Sequence, residues 1–202
     1  FSKPMIRGMG FNRIAVLENG IKQEGQQWGA DHGLELDAFN IGAVNVLKGP
    51  SSLLYGSDAM GGVIDVVPSA VPADNRVFGD VTLLGKSVNG TIGGSLMLGI
   101  RKNAWYSYIR YSEQHFGDYR IPTDSIVYLT QRIPIYGRKL KNTAGIERNI
   151  GLFTQYQRRA YKANYAVSNV YQKTGFFPGA HGIPDASRVE DDGDSRNIEL
   201  PF

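Results

Sequence analysis

The chain has 202 residues, 42% apolar, 20% charged and 11% aromatic, with 22 Lys and Arg against 19 Asp and Glu. A net charge of +3 from scattered basic residues does not mark a nucleic-acid partner. The absence of cysteine excludes a disulfide scaffold, a cysteine-bound zinc and a cysteine nucleophile. The 25 glycines exceed the usual ~7%, and with 11 tyrosines and 9 phenylalanines they favour strands and turns over helical bundles. No window approaches the ~18 unbroken apolar residues of a membrane helix. The sequence opens at Phe1 without a charged-then-apolar leader, which leads us to expect an internal piece of a longer chain.

In chain order, residues 13–17 (RIAVL), 44–48 (VNVLK) and 62–67 (GVIDVV) are β-branched, strand-length runs punctuated by glycine. Glu18-Asn19-Gly20 before Ile21 predicts a tight hairpin, because Asn and Gly tolerate positive φ. Asp37 is placed to cap a short helix over 38–41, and Ser51 or Ser52 another running through Leu54, with Leu53, Leu54 and Tyr55 as its anchors. The first 67 residues thus predict a small α+β unit. Pro68 to Pro72 (PSAVP) marks a boundary. Beyond it the period becomes two: Ile92, Leu96, Leu98 and Ile100 alternate with Thr91, Ser95 and Gly99, and Tyr161, Ala163, Tyr165, Val167 and Tyr171 alternate with Lys162, Asn164, Ser168 and Gln172. Less regular runs over 77–87, 104–115 and 148–157 bring the expectation to five antiparallel strands. Tight turns alternate with a connection of about thirty residues after the third strand, the rhythm of outer-membrane barrels. A soluble antiparallel sandwich shows the same alternation and stays open as a reading on periodicity alone.

Catalytic and nucleotide motifs fail. GMGFNR has Arg13 where a dinucleotide fingerprint needs a small residue, and GSDAMGG lacks the Lys-Ser/Thr of a P-loop. No G-x-S-x-G elbow is present, and His32, His115 and His181 lie in unrelated segments. The acidic run Glu190, Asp191, Asp192 and Asp194 does not fit an EF-hand and reads as solvated. We expect no enzyme, no cofactor and no bound metal.

Two blocks remain: PMIRGMGFNRIAVLENGIKQ from Pro4, and VNVLKGPSSLLYGSDAMGGVIDVV from Val44. Together they closely resemble the plug domain of TonB-dependent outer-membrane receptors, in which an Ile-Arg-Gly start, Leu-Lys-Gly-Pro, Leu-Tyr-Gly and Gly-Gly-Val-Ile follow in this order before the barrel. TGFFPGAHGIPD adds a flavour similar to Bacteroidetes members of the family. The resemblance implies an α+β plug fragment over 1–72, its C-terminal part, followed over 73–202 by an antiparallel β-meander of an incomplete transmembrane β-barrel. Five strands cannot close such a barrel, which needs at least about eight and is typically ~22-stranded when plugged. It also implies the outer membrane of a Gram-negative bacterium as the location. The partners it implies are membrane lipid, the TonB complex and an imported scarce solute such as a siderophore, haem, cobalamin or a glycan. The family's strand before Leu-Lys-Gly-Pro commonly carries three charges, whereas Gly42, Ala43 and Asn45 stand here; the family's TonB box is not found in these residues. A soluble β-rich binding or adhesion module is the alternative.

Gly49, Pro50, Tyr55, Gly56, Gly61 and Gly62 are expected to build the plug, and Arg7 and Arg13 to hold it through hydrogen bonds to lumen carboxylates. The segment 24–33 (EGQQWGADHG) mixes an aromatic surface with amides and ionisable groups, so Gln27, Trp28 and His32 are candidates for a cargo floor.

Overall fold

The computed structural model describes residues 4–10, 13–23, 36–68, 72–128 and 131–175. It divides into two compact units, Phe1–Arg76 with Arg101–Asn103, and Val77–Ile100 with Ala104–Phe202.

The first unit holds a four-stranded sheet ordered β2-β1-β4-β3, from β1 (Ile14–Glu18), β2 (Ile21–Lys22), β3 (Ala43–Leu47) and β4 (Gly62–Val67). Strands β1 and β4 run parallel, and the other pairs are antiparallel. The expected Glu18–Ile21 hairpin forms, with Asn19 and Gly20 both at positive φ. A second turn of the same kind was not foreseen: Ile6 and Met9 exchange backbone hydrogen bonds at 2.9 and 3.0 Å across Arg7 and Gly8, again both at positive φ. A dry core of Ala15, Leu17, Ala59 and Val63, with Leu47 against it, underlies the sheet.

The helical content is smaller than expected: among the described residues of this unit only short 3-10 segments of one or two turns occur, at Ala38–Asn40, Pro50–Tyr55 and Ser57–Ala59. Asp37 caps the first as anticipated, its carboxylate accepting from Phe39 N at 2.9 Å. The second differs from the expectation. Its N-cap is Gly49, with Pro50 opening the turn and no side-chain cap. Ser52 does not accept there; its buried hydroxyl donates toward the carbonyls of Gly49 and Ala59, at 2.8 and 2.7 Å. Leu53, Leu54 and Tyr55 are exposed rather than anchored, Leu54 by 88%, because Ala59 fills the core position beside the turn.

Gly61 and Gly62 are required where β4 starts. A Cβ on Gly61 would lie 2.9 Å from Arg13 O, and one on Gly62, at φ +143, would lie 2.8 Å from Leu47 O and 2.9 Å from Ile6 Cδ1. Both contacts are with neighbours fixed by the sheet, so neither clash relaxes cheaply.

The second unit is a five-stranded antiparallel meander, β5 (Arg76–Lys86), β6 (Thr91–Lys102), β7 (Trp105–Phe116), β12 (Gly145–Arg158) and β13 (Tyr161–Thr174), in that spatial order. All five expected strands are present. Between β7 and β12 the chain builds two small hairpins: β8 (Tyr119–Arg120) pairs with β11 (Lys139–Leu140), and β9 (Ser125–Tyr128) with β10 (Gln131–Pro134). Ile133 and Ile135 form their private core against Ile121, Ile126 and Leu140. The sheet is not closed among the described residues; β5 and β13 are its edges.

Replacing Gly62 by Ala should loosen the first unit by about 2–4 kcal/mol. Amide hydrogen exchange over Val63–Val67 reads this directly, with at least a tenfold acceleration expected.

Candidate functional site

The two faces of the meander are chemically opposite. Across β7, β12 and β13 the register puts Ile109, Leu152 and Val167 in one row, with Tyr111 and Ile150 in the next, all on the same face. That face continues through Ile92, Leu96, Leu98 and Ile100 on β6 and Val77, Val81 and Leu83 on β5, every one exposed. The other face carries Thr91, Ser95, Arg110, Ser112, Asn149 and Gln155, every one buried. A soluble sandwich hides its apolar face and wets its polar one; here the polarity is reversed.

Aromatic residues bound the apolar band. Trp105 and Tyr156, directly opposite one another, pack at 5.0 Å between ring centroids at the short-turn end, where Tyr161 begins β13. Eight residues further along β7, the row of Glu113, Arg148 and Tyr171 ends the band, with Arg148 clamping Glu113 through Nε and Nη2 at 3.2 and 3.1 Å. Eight residues at ~3.4 Å are about 27 Å of strand, or about 20 Å of height at a ~40° tilt, close to the ~25 Å apolar band of outer-membrane barrels.

Two layers structure the polar face. Phe78, Tyr106, Tyr108 and Phe153 form an aromatic cluster, with Phe78 stacked on Tyr106 at 5.5 Å and Tyr108 on Phe153 at 5.5 Å. Gly99 makes room for it, since a Cβ there would stand 2.2 Å from the Phe78 ring. Beside it Arg110, only 4% exposed, grips Asp80 with both terminal nitrogens at 3.1 and 3.3 Å and reaches Ser95 Oγ at 2.9 Å. Asn149 donates to Ser112 Oγ at 3.1 Å. Arg110 Nε and Asn149 Oδ1 are buried without a hydrogen-bond partner. Sequence reading missed this wall, although the alternation of Tyr106, Tyr108, Arg110 and Ser112 with Ile109 and Tyr111 carries the signal.

Of the residues singled out from sequence, Gly49 and Gly56 flank the Pro50–Tyr55 turn, and Gly61 and Gly62 seat β4. Arg7 stands at the tip of the Ile6–Met9 turn, and Arg13 precedes β1, where its carbonyl accepts from Gly61 N at 2.7 Å. Both are exposed. Gln27, Trp28 and His32 lie outside the described residues, so the structure brings no cargo floor together. Lys22 forms an ion pair with Asp58 over the core of the first unit. Burial, and secondarily the nearby Asp37, pushes the Glu18 carboxyl above the usual carboxylate range. Its protonated form is therefore the one the fold prefers, and its contribution to stability is lost as pH rises through that raised value.

Residues 1–63 match the family described as the TonB-dependent Receptor Plug Domain. The chain is 33% identical to the iron-regulated outer membrane virulence protein of Vibrio cholerae, over 46% of this chain and 17% of that protein. It is 36% identical to the vitamin B12 transporter BtuB of Vibrio vulnificus, over 41% and 13%, and 42% identical to the hemin receptor of Yersinia enterocolitica, over 36% and 11%. In fold it resembles the siderophore receptor PirA from Acinetobacter baumannii, with TM-score 0.62 and 16% identity over 86% of this chain and 26% of that one. PirA from Pseudomonas aeruginosa matches at 0.57 and 17%, over 83% and 27%. The chain thus spans about a sixth or less of these curated relatives and about a quarter of the solved receptors.

A glycine-gated mixed sheet followed by an outward-apolar antiparallel meander defines an outer-membrane protein of the plug-and-barrel class. Residues 1–63 belong to the plug-domain family of TonB-dependent receptors, and the chain as a whole is similar to receptors of Gram-negative outer membranes.

A lysine at Leu152, in the middle of the apolar band, should cost about 2–4 kcal/mol of folding into a bilayer. The same change at Ser168, on the opposite face, should cost less than about 1 kcal/mol. Urea titration of the complete receptor in lipid vesicles separates the two.

Proposed function

We propose that this chain is part of an active transporter that binds a scarce solute at the cell surface and imports it with TonB-coupled energy. The observation that carries the reading is the pairing of a plug-family segment with a sheet whose apolar face points outward. In this reading residues 1–72 are the C-terminal part of the plug, and residues 73–202 open the barrel. The tight turns lie on the periplasmic side and the long connection after β7 on the outer side. Transport of this kind breaks no covalent bond, in keeping with a sequence that offers no catalytic constellation. The relatives' names point to iron compounds, haem or cobalamin as the solute class.

Arg7 and Arg13 are proposed to tie the plug to lumen carboxylates. Among the described residues neither guanidinium has an ion pair or hydrogen bond of its own. Trp28, with Gln27 and His32, is proposed as cargo floor on residue chemistry alone.

The test is uptake by a Gram-negative host carrying the complete receptor, offered ferric siderophore, haem or cyanocobalamin with and without TonB. We expect one class to accumulate only when receptor and TonB are both present. Uptake indifferent to TonB, or recovery of the receptor outside the outer membrane, would contradict the proposal.

A further inference from the structure

The hairpin that joins β12 to β13 turns on two residues, Arg159 and Ala160, between Arg158 and Tyr161, which the register sets directly opposite one another. The ladder with β7 stops at Tyr156, opposite Trp105, so the tip of this hairpin runs past its neighbour on that side. Its base is held by Gln157 N, which donates to Ala104 O at 2.8 Å.

Alternation along β12 puts Arg158 on the face of Leu152 and Tyr156, the face that carries the apolar band. It stands at the aromatic end of that band: Tyr161 lies across from it, and Tyr156, one step back on the same face, packs on Trp105 at 5.0 Å. Arg159 takes the tip, with its backbone at φ 44, in the left-handed region that a residue with a Cβ disfavours. The turn between β6 and β7 gives its positive-φ position to Asn103, a residue that tolerates it. An arginine in that role costs conformational energy the turn itself does not require, which points to a use for its side chain.

Both arginines are exposed, and neither guanidinium has an ion pair or hydrogen bond among the described residues. From Arg148 to Pro184 the sequence contains no Asp or Glu, and the one acidic residue of β7, Glu113, belongs to the opposite end of the band, where Arg148 clamps it. Two adjacent uncompensated guanidiniums beside an aromatic girdle suit a phosphate attached to apolar chains: the guanidinium forks take the phosphate oxygens, the rings lie at headgroup level, and the band meets the chains. A zwitterionic headgroup would bring a cation with no carboxylate here to meet it. The chemistry therefore favours a lipid whose net charge is negative.

We propose that Arg158 and Arg159, with Tyr161 beside them, form a binding site for the phosphate of an anionic phospholipid at the short-turn rim of the sheet. The proposal rests on the apolar face meeting a bilayer, but its test needs no import. The probe is phosphatidylglycerol, titrated into the complete receptor in neutral detergent and counted by native mass spectrometry, with phosphatidylcholine as the comparison. The first phosphatidylglycerol is expected to bind at least tenfold more tightly than phosphatidylcholine, and this preference should shrink as salt rises. Arg158→Gln together with Arg159→Asn should lower the preference at least fivefold, whereas Arg158→Lys with Arg159→Lys should keep it within about threefold. Because asparagine tolerates the left-handed backbone, the Gln/Asn variant should unfold at an equal or higher temperature than the natural receptor, which separates a lost lipid site from a damaged turn. No preference for phosphatidylglycerol, an unchanged preference in the Gln/Asn variant, or equal losses toward both lipids would overturn the proposal. A loss confined to purified lipopolysaccharide would also overturn it, by assigning the two arginines to that glycolipid. Failure here with TonB-dependent uptake intact would leave the transport reading standing.

Discussion

A strand that faces hydrocarbon must find every hydrogen-bond partner for its backbone in the neighbouring strands, since lipid offers none. The meander meets this demand with long ladders: β12 is paired without a break along twelve residues of β7 and fourteen of β13. Such continuous pairing leaves only the side chains to distinguish inside from outside, and the period of two does this at every step. One face becomes a solvent for lipid, the other a polar wall. Height, girdle and polarity all follow from keeping that register, because a slip of one residue would turn Arg110 and Ser112 toward hydrocarbon and Ile109 and Tyr111 away from it.

The wall on the inner face also explains why the strands contain so much glycine. Where Gly99 withholds a side chain, Phe78 and Tyr106 close over the gap, and each aromatic pair is worth about 0.5–1.5 kcal/mol beyond its buried area. Arg110 is held next to this cluster by a two-pronged grip on Asp80. The first unit uses the same residue type for a different purpose. There Gly61 and Gly62 let β4 approach Arg13 O and Leu47 O more closely than any side chain would permit. Ser52 then ties the intervening turn to the backbone on both sides.

Much of this was legible in the sequence. Alternation marks Ile92 to Ile100 and Tyr161 to Tyr171 so plainly that both strands and the identity of their outer face could be read directly, and Asn19-Gly20 and Asp37 announced their turn and cap. The Pro50–Tyr55 turn was misread because leucines next to a turn read as anchors, while the core position went to Ala59, a residue too small to attract attention. The chain between β7 and β12 was expected only as a long connection. Its strands are two to four residues long, and its core depends on Ile121, Ile126, Ile133, Ile135 and Leu140 meeting across distances that no local period records. The Arg110–Asp80 pair is likewise a contact between strands thirty residues apart.

The central claim is that the face bearing Leu98 and Val167 meets lipid while the face bearing Ser95 and Ser168 does not. Because the chain contains no cysteine, single cysteines for spin labelling can be introduced at these four positions without background from it. With the complete receptor in lipid bilayers, collision rates with oxygen and with a water-soluble nickel chelate should separate the pairs. Labels at 98 and 167 are predicted to meet oxygen freely and nickel rarely, and those at 95 and 168 to show low oxygen access. Equal access on both faces, or high oxygen access at 95 and 168, would contradict the account.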